Sequence, residues 1–297
     1  MATGITTQHT FQEQPYLTVA EYKNAPTALD ISNLVVGGNQ AAQDAELANV
    51  ILRATSFLDE YLNQNLCAST QVENQRVRFT PQGWISLHPN NSPVISLQSF
   101  AYGSDPTQLQ TLSDCSTVWF EDQQILVPIS QLSANWTNQG PLGFNWATSP
   151  RQQIFCRYTY TAGYVNTTTS ASVNAGVTSI TVTAADGIVA GMQLRIYDGA
   201  NSETVTVANN YTYGSTTVLL ASTLLYAHAT GIALGNLPAA IKQACILVAG
   251  AFIKSRGSGS MTMQMTTNPT RTVTDPVMFT SDVQLALKMV DLYRRVR

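Results

Sequence analysis

Gln40-Ala41-Ala42-Gln43-Asp44-Ala45-Glu46-Leu47-Ala48-Asn49-Val50-Ile51-Leu52-Arg53-Ala54-Thr55-Ser56-Phe57-Leu58-Asp59-Glu60-Tyr61-Leu62-Asn63 places Leu47, Val50, Ile51, Ala54, Phe57, Leu58, Tyr61 and Leu62 on one side of a helix. Glu46, Asn49, Arg53, Ser56, Glu60 and Asn63 fall on the other side at three- and four-residue steps, so the spacing predicts an amphipathic helix over 40–63. A face that wide needs covering by other elements, and three further segments read as helix. In Leu17-Thr18-Val19-Ala20-Glu21-Tyr22 the Thr18 and Glu21 side chains suit a capping box, which predicts a short helix over 17–25 that Pro26 stops. Leu237-Pro238 opens a run over 237–256 in which Ile241, Ala244, Cys245, Leu247, Val248, Ala249, Phe252 and Ile253 leave a polar edge of only Lys242, Gln243 and Lys254. That helix must be covered on most sides, and Gly250 in its apolar face predicts a close crossing with 40–63. The last, over 281–296, starts on Asp282 and ends in Arg294, Arg295 and Arg297, a charge order that suits the helix dipole.

Between these helices the texture changes. Over 71–161 short alternating runs at 76–79, 84–87, 94–100, 117–120, 125–127 and 154–160 are punctuated by Pro81, Gly83, Pro89, Pro93, Gly103, Pro128, Gly140 and Pro141, which predicts an antiparallel β region with long loops. Over 170–235 one Arg, two Asp, one Glu and one His stand among many Thr, Val, Ala and Gly, with strands expected near 179–183, 193–197 and 204–207. This stretch repeats itself: Ile180 and Val182, then Leu194 and Ile196, recur 38 positions later as Val218 and Leu220, then Ile232 and Leu234. Two related halves imply a small barrel or sandwich, although Thr/Val-rich strand pairs also resemble one another by composition alone. The fold class read from the sequence is therefore α+β: a small helical bundle core, an antiparallel β region and an inserted all-β domain.

Only 11% of the residues are charged, against about 25% in an ordinary globular chain, and the net charge of −3 offers no field for capturing nucleic acid. Cys67, Cys115, Cys156 and Cys245 are scattered without metal or disulfide spacing and read as reduced core residues. The first residues lack a secretory pattern and the longest apolar stretch, 244–253, is too short for a bilayer, so the expectation is a soluble protein made in a cytoplasm, without a membrane partner. Chemistry is equally scarce. His9, His88 and His228 are far apart, Gly257-Ser258-Gly259-Ser260 lacks the ending of a phosphate loop, and Asp59-Glu60 and Glu121-Asp122 read as solvated charges. The four Asn-x-Ser/Thr matches at Asn90, Asn135, Asn166 and Asn210 read as chance in so Asn- and Thr-rich a chain. No catalytic, metal or cofactor residues are assigned, and the expected class is a non-enzymatic assembly protein.

Five segments in order carry a resemblance: Tyr16-Leu17-Thr18-Val19-Ala20-Glu21-Tyr22; Ala54-Thr55-Ser56-Phe57-Leu58-Asp59-Glu60-Tyr61-Leu62; Tyr158-Thr159-Tyr160-Thr161-Ala162-Gly163-Tyr164; Leu237-Pro238-Ala239-Ala240-Ile241-Lys242-Gln243-Ala244; and Leu292-Tyr293-Arg294-Arg295. Together they resemble the head-to-tail connector, or adaptor, proteins of tailed bacteriophages. Small members of that family pass almost directly from the Tyr-Thr-Ala-Gly-Tyr strand to the Leu-Pro helix, whereas about seventy residues intervene here. The organisation this suggests is a connector core of 1–164 and 237–297, an inserted β domain over 165–236 and a flexible arm over 257–280. The resemblance implies a virion protein assembled in the host cytoplasm. It would form a homo-oligomeric, dodecameric ring under the portal protein, joined below to a head-tail stopper or tail terminator, with double-stranded DNA passing non-specifically through its lumen.

The charge-poor segment 257–280 followed by so apolar a terminal helix points to portal docking through Leu285, Met289, Leu292, Tyr293, Arg294, Arg295 and Arg297, with packing on the chain's own core as the other reading. A rival function, a carbohydrate- or receptor-binding module, rests on Trp84, Trp119, Trp136 and Trp146 in a β-rich chain. A hydrolase is disfavoured for want of any nucleophile and base arrangement.

Overall fold

The structure, a computed structural model, describes residues 14–78, 84–103, 105–121, 123–128, 153–255, 262–263, 278–279 and 281–295. It is an α+β chain with two compact units, one holding residues 68–164 and the other 12–67 with 165–297.

Among its described residues the first unit is built on antiparallel strands: β1 (Ser69–Arg78), β2 (Trp84–Leu87), β3 (Val94–Gly103), β4 (Gln110–Thr111), β5 (Trp119–Glu121), β6 (Gln124–Pro128) and β7 (Gln153–Ala162). One sheet has the order β1-β7-β3-β4 and the other β2-β6-β5. Alternation along β7 sends Ile154, Cys156, Tyr158, Tyr160 and Ala162 into a core shared with Ile85, Leu87, Phe100, Ile125 and Val127. Glu73, in the middle of β1, is buried there as well. The Tyr158 hydroxyl donates to it at 2.9 Å, as does the Asn90 N–H, and Tyr160 is a third donor. Burial, reinforced by this carboxylate, pushes the Tyr158 phenol far above its usual range. β1 pairs with β7 over its full length, from Ser69 opposite Ala162 to Arg78 opposite Gln153, and so starts well before the predicted run at 76. Its first residues, Ser-Thr-Gln-Val-Glu-Asn, carry little strand propensity, and the partner strand imposes the conformation.

The second unit begins with α1 (Val19–Asn24) and α2 (Gln40–Leu62). The predicted capping box at Thr18 and Glu21 is present in both directions, and Asn63 ends α2 in the left-handed conformation at φ 57°. Next come β8 (Asn166–Thr168), β9 (Ser179–Thr181), β10 (Gln193–Tyr197), β11 (Glu203–Thr206), β12 (Thr217–Leu219) and β13 (Ala233–Gly235). These are followed by α3 (Ala239–Lys254), a short pair of β14 (Thr262–Met263) with β15 (Met278–Phe279), and α4 (Ser281–Val290) with a 3-10 turn at Asp291–Tyr293. The rest of the expected arm over 257–280 lies outside the described residues.

α3 packs on α2 and α4, with Ile241, Ala244, Cys245, Val248 and Ala249 fully buried and Phe57 edge-to-face on Phe252 at 6.4 Å. Gly250 does not make the tight crossing with α2 that its position suggested. A Cβ there would meet Leu29 at 3.7 Å and the Tyr22 hydroxyl at 3.9 Å, ordinary contacts with α1 and the segment after it. Lys242, on the polar edge of α3, is drawn inward. Its ammonium is ion-paired with Glu21 and lies 3.8 Å from the centre of the Tyr197 ring, while the other Glu21 oxygen accepts the Thr18 N–H at 2.8 Å.

The repeat in 165–236 has a structural counterpart. Sheets of order β11-β10-β13-β8 and β12-β9 pair equivalent positions with each other, Ile180 opposite Val218 at the expected 38-residue spacing and Arg195 opposite Gly235 at a spacing of 40, so Leu194 corresponds to Leu234 and not to Ile232. Ser170 N–H to Thr181 O is matched by Ala208 N–H to Leu219 O, and Val182 N–H to Thr216 O by Leu220 N–H to Thr178 O. The period is not uniform. Gly191 N–H bonds Val207 O as Gly231 N–H bonds Thr169 O, so the second half carries two extra residues before its last strand. Residues of 165–234 form an apolar cluster of their own, although these strands fall in the same compact unit as the helices. The two ends of the segment meet, with Val165 N–H on Asn236 Oδ1 at 2.7 Å and Asn236 N–H on Val165 O at 2.9 Å. Gly235 has no alternative there, since a Cβ would lie 2.2 Å from Val165 O.

Two outcomes follow from this packing. Val248→Asp places an unpaired charge in the middle of α3 and abolishes the cooperative melting transition; native melting of this variant overturns the central position of α3. Replacing residues 165–236 by a short Gly/Ser bridge leaves a soluble, folded remainder, destabilised by about 1–3 kcal/mol through loss of the Tyr197 contact and the Asn166 hydrogen bond to Pro15 O. An unfolded remainder, seen by circular dichroism, shows that the two parts share one interior.

Candidate interaction surface

The terminal helix carries two apolar stripes, and its neighbours decide which one is hidden. Val283 and Val290 are fully buried and Leu287 and Tyr293 half-buried, together with buried Ala286, against α3 and α2. The other stripe points to solvent: Leu285 is 52% and Leu292 89% exposed, with Met289 half-buried between them. Of the two readings of this helix, packing on its own core therefore describes one face and leaves the proposed docking face uncovered.

The chain end is stitched to the end of α2. Gln64 Nε2 donates to Tyr293 O at 2.7 Å, Arg295 N–H to Leu62 O at 3.0 Å and the Tyr61 hydroxyl to Asp291 Oδ1 at 3.0 Å. The Arg294 guanidinium stands over the Tyr61 ring at 5.0 Å. Burial, with Asp291 adding to it, raises the Tyr61 phenol. The Lys254 to Asp282 bridge at 2.6 Å is largely exposed and worth under about 1 kcal/mol. Of the residues expected to dock, Leu285, Met289 and Leu292 lie on the outer stripe and Arg294 is exposed, whereas Tyr293 is half-buried on the packed side, Arg295 is half-buried at the end of α2, and Arg297 lies outside the described residues.

A second cluster escaped the sequence reading. The His228 side chain is wholly buried, with Nδ1 2.8 Å from Asp198 Oδ2 and Nε2 2.9 Å from Glu203 Oε1. Glu203 also accepts the Leu225 N–H at 3.0 Å and the Tyr226 N–H at 3.1 Å. Burial alone would raise the Glu203 carboxyl, but these two amides and the imidazole outweigh it and hold the group below its usual range. The residues it anchors form an exposed tip, Leu225 at 72% and Tyr226 at 42%. No spacing rule links positions 198, 203 and 228. The only signal was scarcity, since these are three of the four acidic or histidine residues between 170 and 235.

The remaining sequence candidates offer little chemistry. Burial pushes the thiols of Cys67, Cys156 and Cys245 up to about 12, so none is poised as a thiolate. Among the described residues no His/Cys/Asp/Glu group is placed to hold a metal ion, and no helix is long and apolar enough to cross a membrane. Of the tryptophans, Trp119 is 62% exposed on the edge strand β5 beside Phe120 at 39%, Trp84 is half-buried, and Trp136 and Trp146 lie outside the described residues. No protein-family model matches the chain, and no match is found among curated proteins or solved structures.

The two stripes of α4 are separable by stability. Val290→Ser costs roughly 2–4 kcal/mol in denaturant unfolding, whereas Leu292→Ser stays within about 0.5 kcal/mol of the parent. Equal losses for the two would mean that both faces are buried.

Proposed function

We propose that this chain is a structural adaptor of a tailed bacteriophage: a ring-forming protein of the virion neck that docks under the portal, meets a stopper or tail terminator below and lets DNA pass. It is an assembly component and not an enzyme. The observation that carries the reading is the uncovered apolar stripe Leu285, Met289 and Leu292 beside Arg294, on a helix whose opposite face is already satisfied. A monomer gains nothing from leaving a leucine 89% exposed at a stitched chain end, whereas a docking face needs apolar anchors with a cation at the rim.

The motif segments support the same reading by what they touch. Tyr16 bonds Asp59 and, through its N–H, Thr55 Oγ1 at 3.1 Å; Glu21, which accepts the Thr18 N–H, meets Lys242; Tyr61 meets Asp291 and Arg294. Residues that read as a family pattern are thus the ones that lock the helices together. The low charge suits both broad subunit contacts and a lumen along which DNA slides without being held by rows of Lys and Arg.

The expected outcome is that the purified chain forms rings in negative-stain images and co-sediments with portal-bearing capsids. The double variant Leu285→Ser/Leu292→Ser keeps the parent's melting but loses capsid binding. A stable monomer that ignores capsids, or a variant that binds as well as the parent, overturns the proposal. The exposed pair Trp119 and Phe120 favours one other reading, a glycan-binding β module, and selective retention on a glycan array that Trp119→Ala abolishes would establish it instead.

A further inference from the structure

The buried histidine of the β segment has an unusual set of neighbours. Each ring nitrogen faces a carboxylate oxygen, at 2.8 Å from Asp198 and 2.9 Å from Glu203. A carboxylate oxygen accepts and cannot donate, so both contacts are hydrogen bonds only if both ring nitrogens carry a proton, as in the imidazolium. A neutral ring would set one lone pair against a carboxylate with no water to intervene, because the side chain is 0% exposed.

We infer that His228 is a proton-operated clamp: as imidazolium it ties Asp198 to Glu203, and Glu203 in turn fixes the exposed Leu225–Tyr226 tip by both of its backbone amides. This goes beyond the adaptor reading and stands without it. The clamp ties the two ends of the turn between β10 and β11 to the loop that carries His228. Asp198 belongs to the turn after β10, where its own N–H is held by Ser202 Oγ at 3.0 Å. Glu203 opens β11. His228 is bridged by two backbone hydrogen bonds of 2.9 Å to Val173. Segment 170–178, which that bridge lays against the histidine, contains no titratable side chain, and in the histidine's own loop the only other one is Tyr226. Among the described residues the charged groups in contact with the ring are Asp198 and Glu203, and Arg195, on the strand that leads into Asp198, stands over the Tyr197 ring at 5.8 Å.

The tip is rigid only while Glu203 holds both amides, and Glu203 is steered by the ring. Loss of the second ring proton replaces an attraction by a repulsion, turns the Glu203 carboxylate away and frees the Leu225 and Tyr226 N–H groups. Protonation of Glu203 removes the acceptor from the other side. Since its folded value lies below the ordinary one, that loss sets in only as the pH falls through the lowered value. Protection of the tip is therefore greatest between the two titrations and falls on either side.

The test uses the full chain labelled with ¹⁵N-histidine. The ring nitrogen shifts report protonation directly, His228→Gln identifies the resonance among the three histidines, and hydrogen exchange read over 222–229 gives the protection of the tip. Both ring nitrogens carry protons wherever the tip is protected, and protection factors of Leu225 and Tyr226 fall at least about tenfold as the second ring proton is lost on raising the pH, the loss expected for one charge-assisted hydrogen bond. Asp198→Asn, which keeps the shape but removes one anion, makes that proton leave at a lower pH and the protection fall with it. A ring that carries a single proton while the tip is protected, a tip whose protection ignores the second ring proton, or an Asp198→Asn variant unchanged in both each overturns the clamp.

Discussion

The ammonium of Lys242 has almost no water to retreat to. Its side chain is 7% exposed and that of its partner Glu21 is 11% exposed, so neither ion tolerates the absence of the other. Glu21 spends one oxygen on this pair and the other on the Thr18 N–H that caps α1, and the π face of Tyr197 covers the remaining side of the cation. A single charge pair thus fixes α1, α3 and β10 at one point. Removing one partner leaves a buried charge and costs about 3–5 kcal/mol, whereas an apolar pair of the same volume would hold as well. What the ions add is direction: α1 can meet α3 in one register only.

Much of the helical part was legible because its signals are local. The 3.6-residue period of α2, the Thr18 and Glu21 box and the acidic start of α4 are all read within a few residues, and helices stand at each place, although α4 stops at Val290 and the arginines expected to close it lie beyond its end, Arg294 in extended conformation. The repeat was legible for a different reason: strands that pair across an approximate twofold must present equivalent residues to each other, so Ile180 and Val218 are alike because they are opposite. Where the reading drifted, a partner had decided. β1 starts seven residues before the predicted run at 76 because β7 lies alongside it, and Gly250 faces Leu29 where a helix crossing was expected.

The candidate surface was half legible. Two stripes on α4 are visible in the sequence, but which of them the core consumes depends on α3 and on the end of α2, and periodicity carries no such information. The His228 cluster was not legible at all. Its three members are contributed by a turn, a strand start and a loop, and only the fold brings the histidine within 3 Å of both carboxylates.

Seen from its charges, the chain follows one rule. It has few ions, and several of those it buries sit where pieces of chain from different elements meet: Glu73 among Tyr158, Tyr160 and the Asn90 amide, Glu21 with Lys242, His228 between Asp198 and Glu203. In each case the group is satisfied by partners from more than one element, so a slip in register would strand a charge in the interior. The ions thereby specify the junctions, and the apolar clusters supply the bulk of the stability. Few charges are left for the surface, and large apolar side chains exposed among the described residues, including Leu285 and Leu292 of α4 with Val36, Trp119 and Leu225, belong to no such junction.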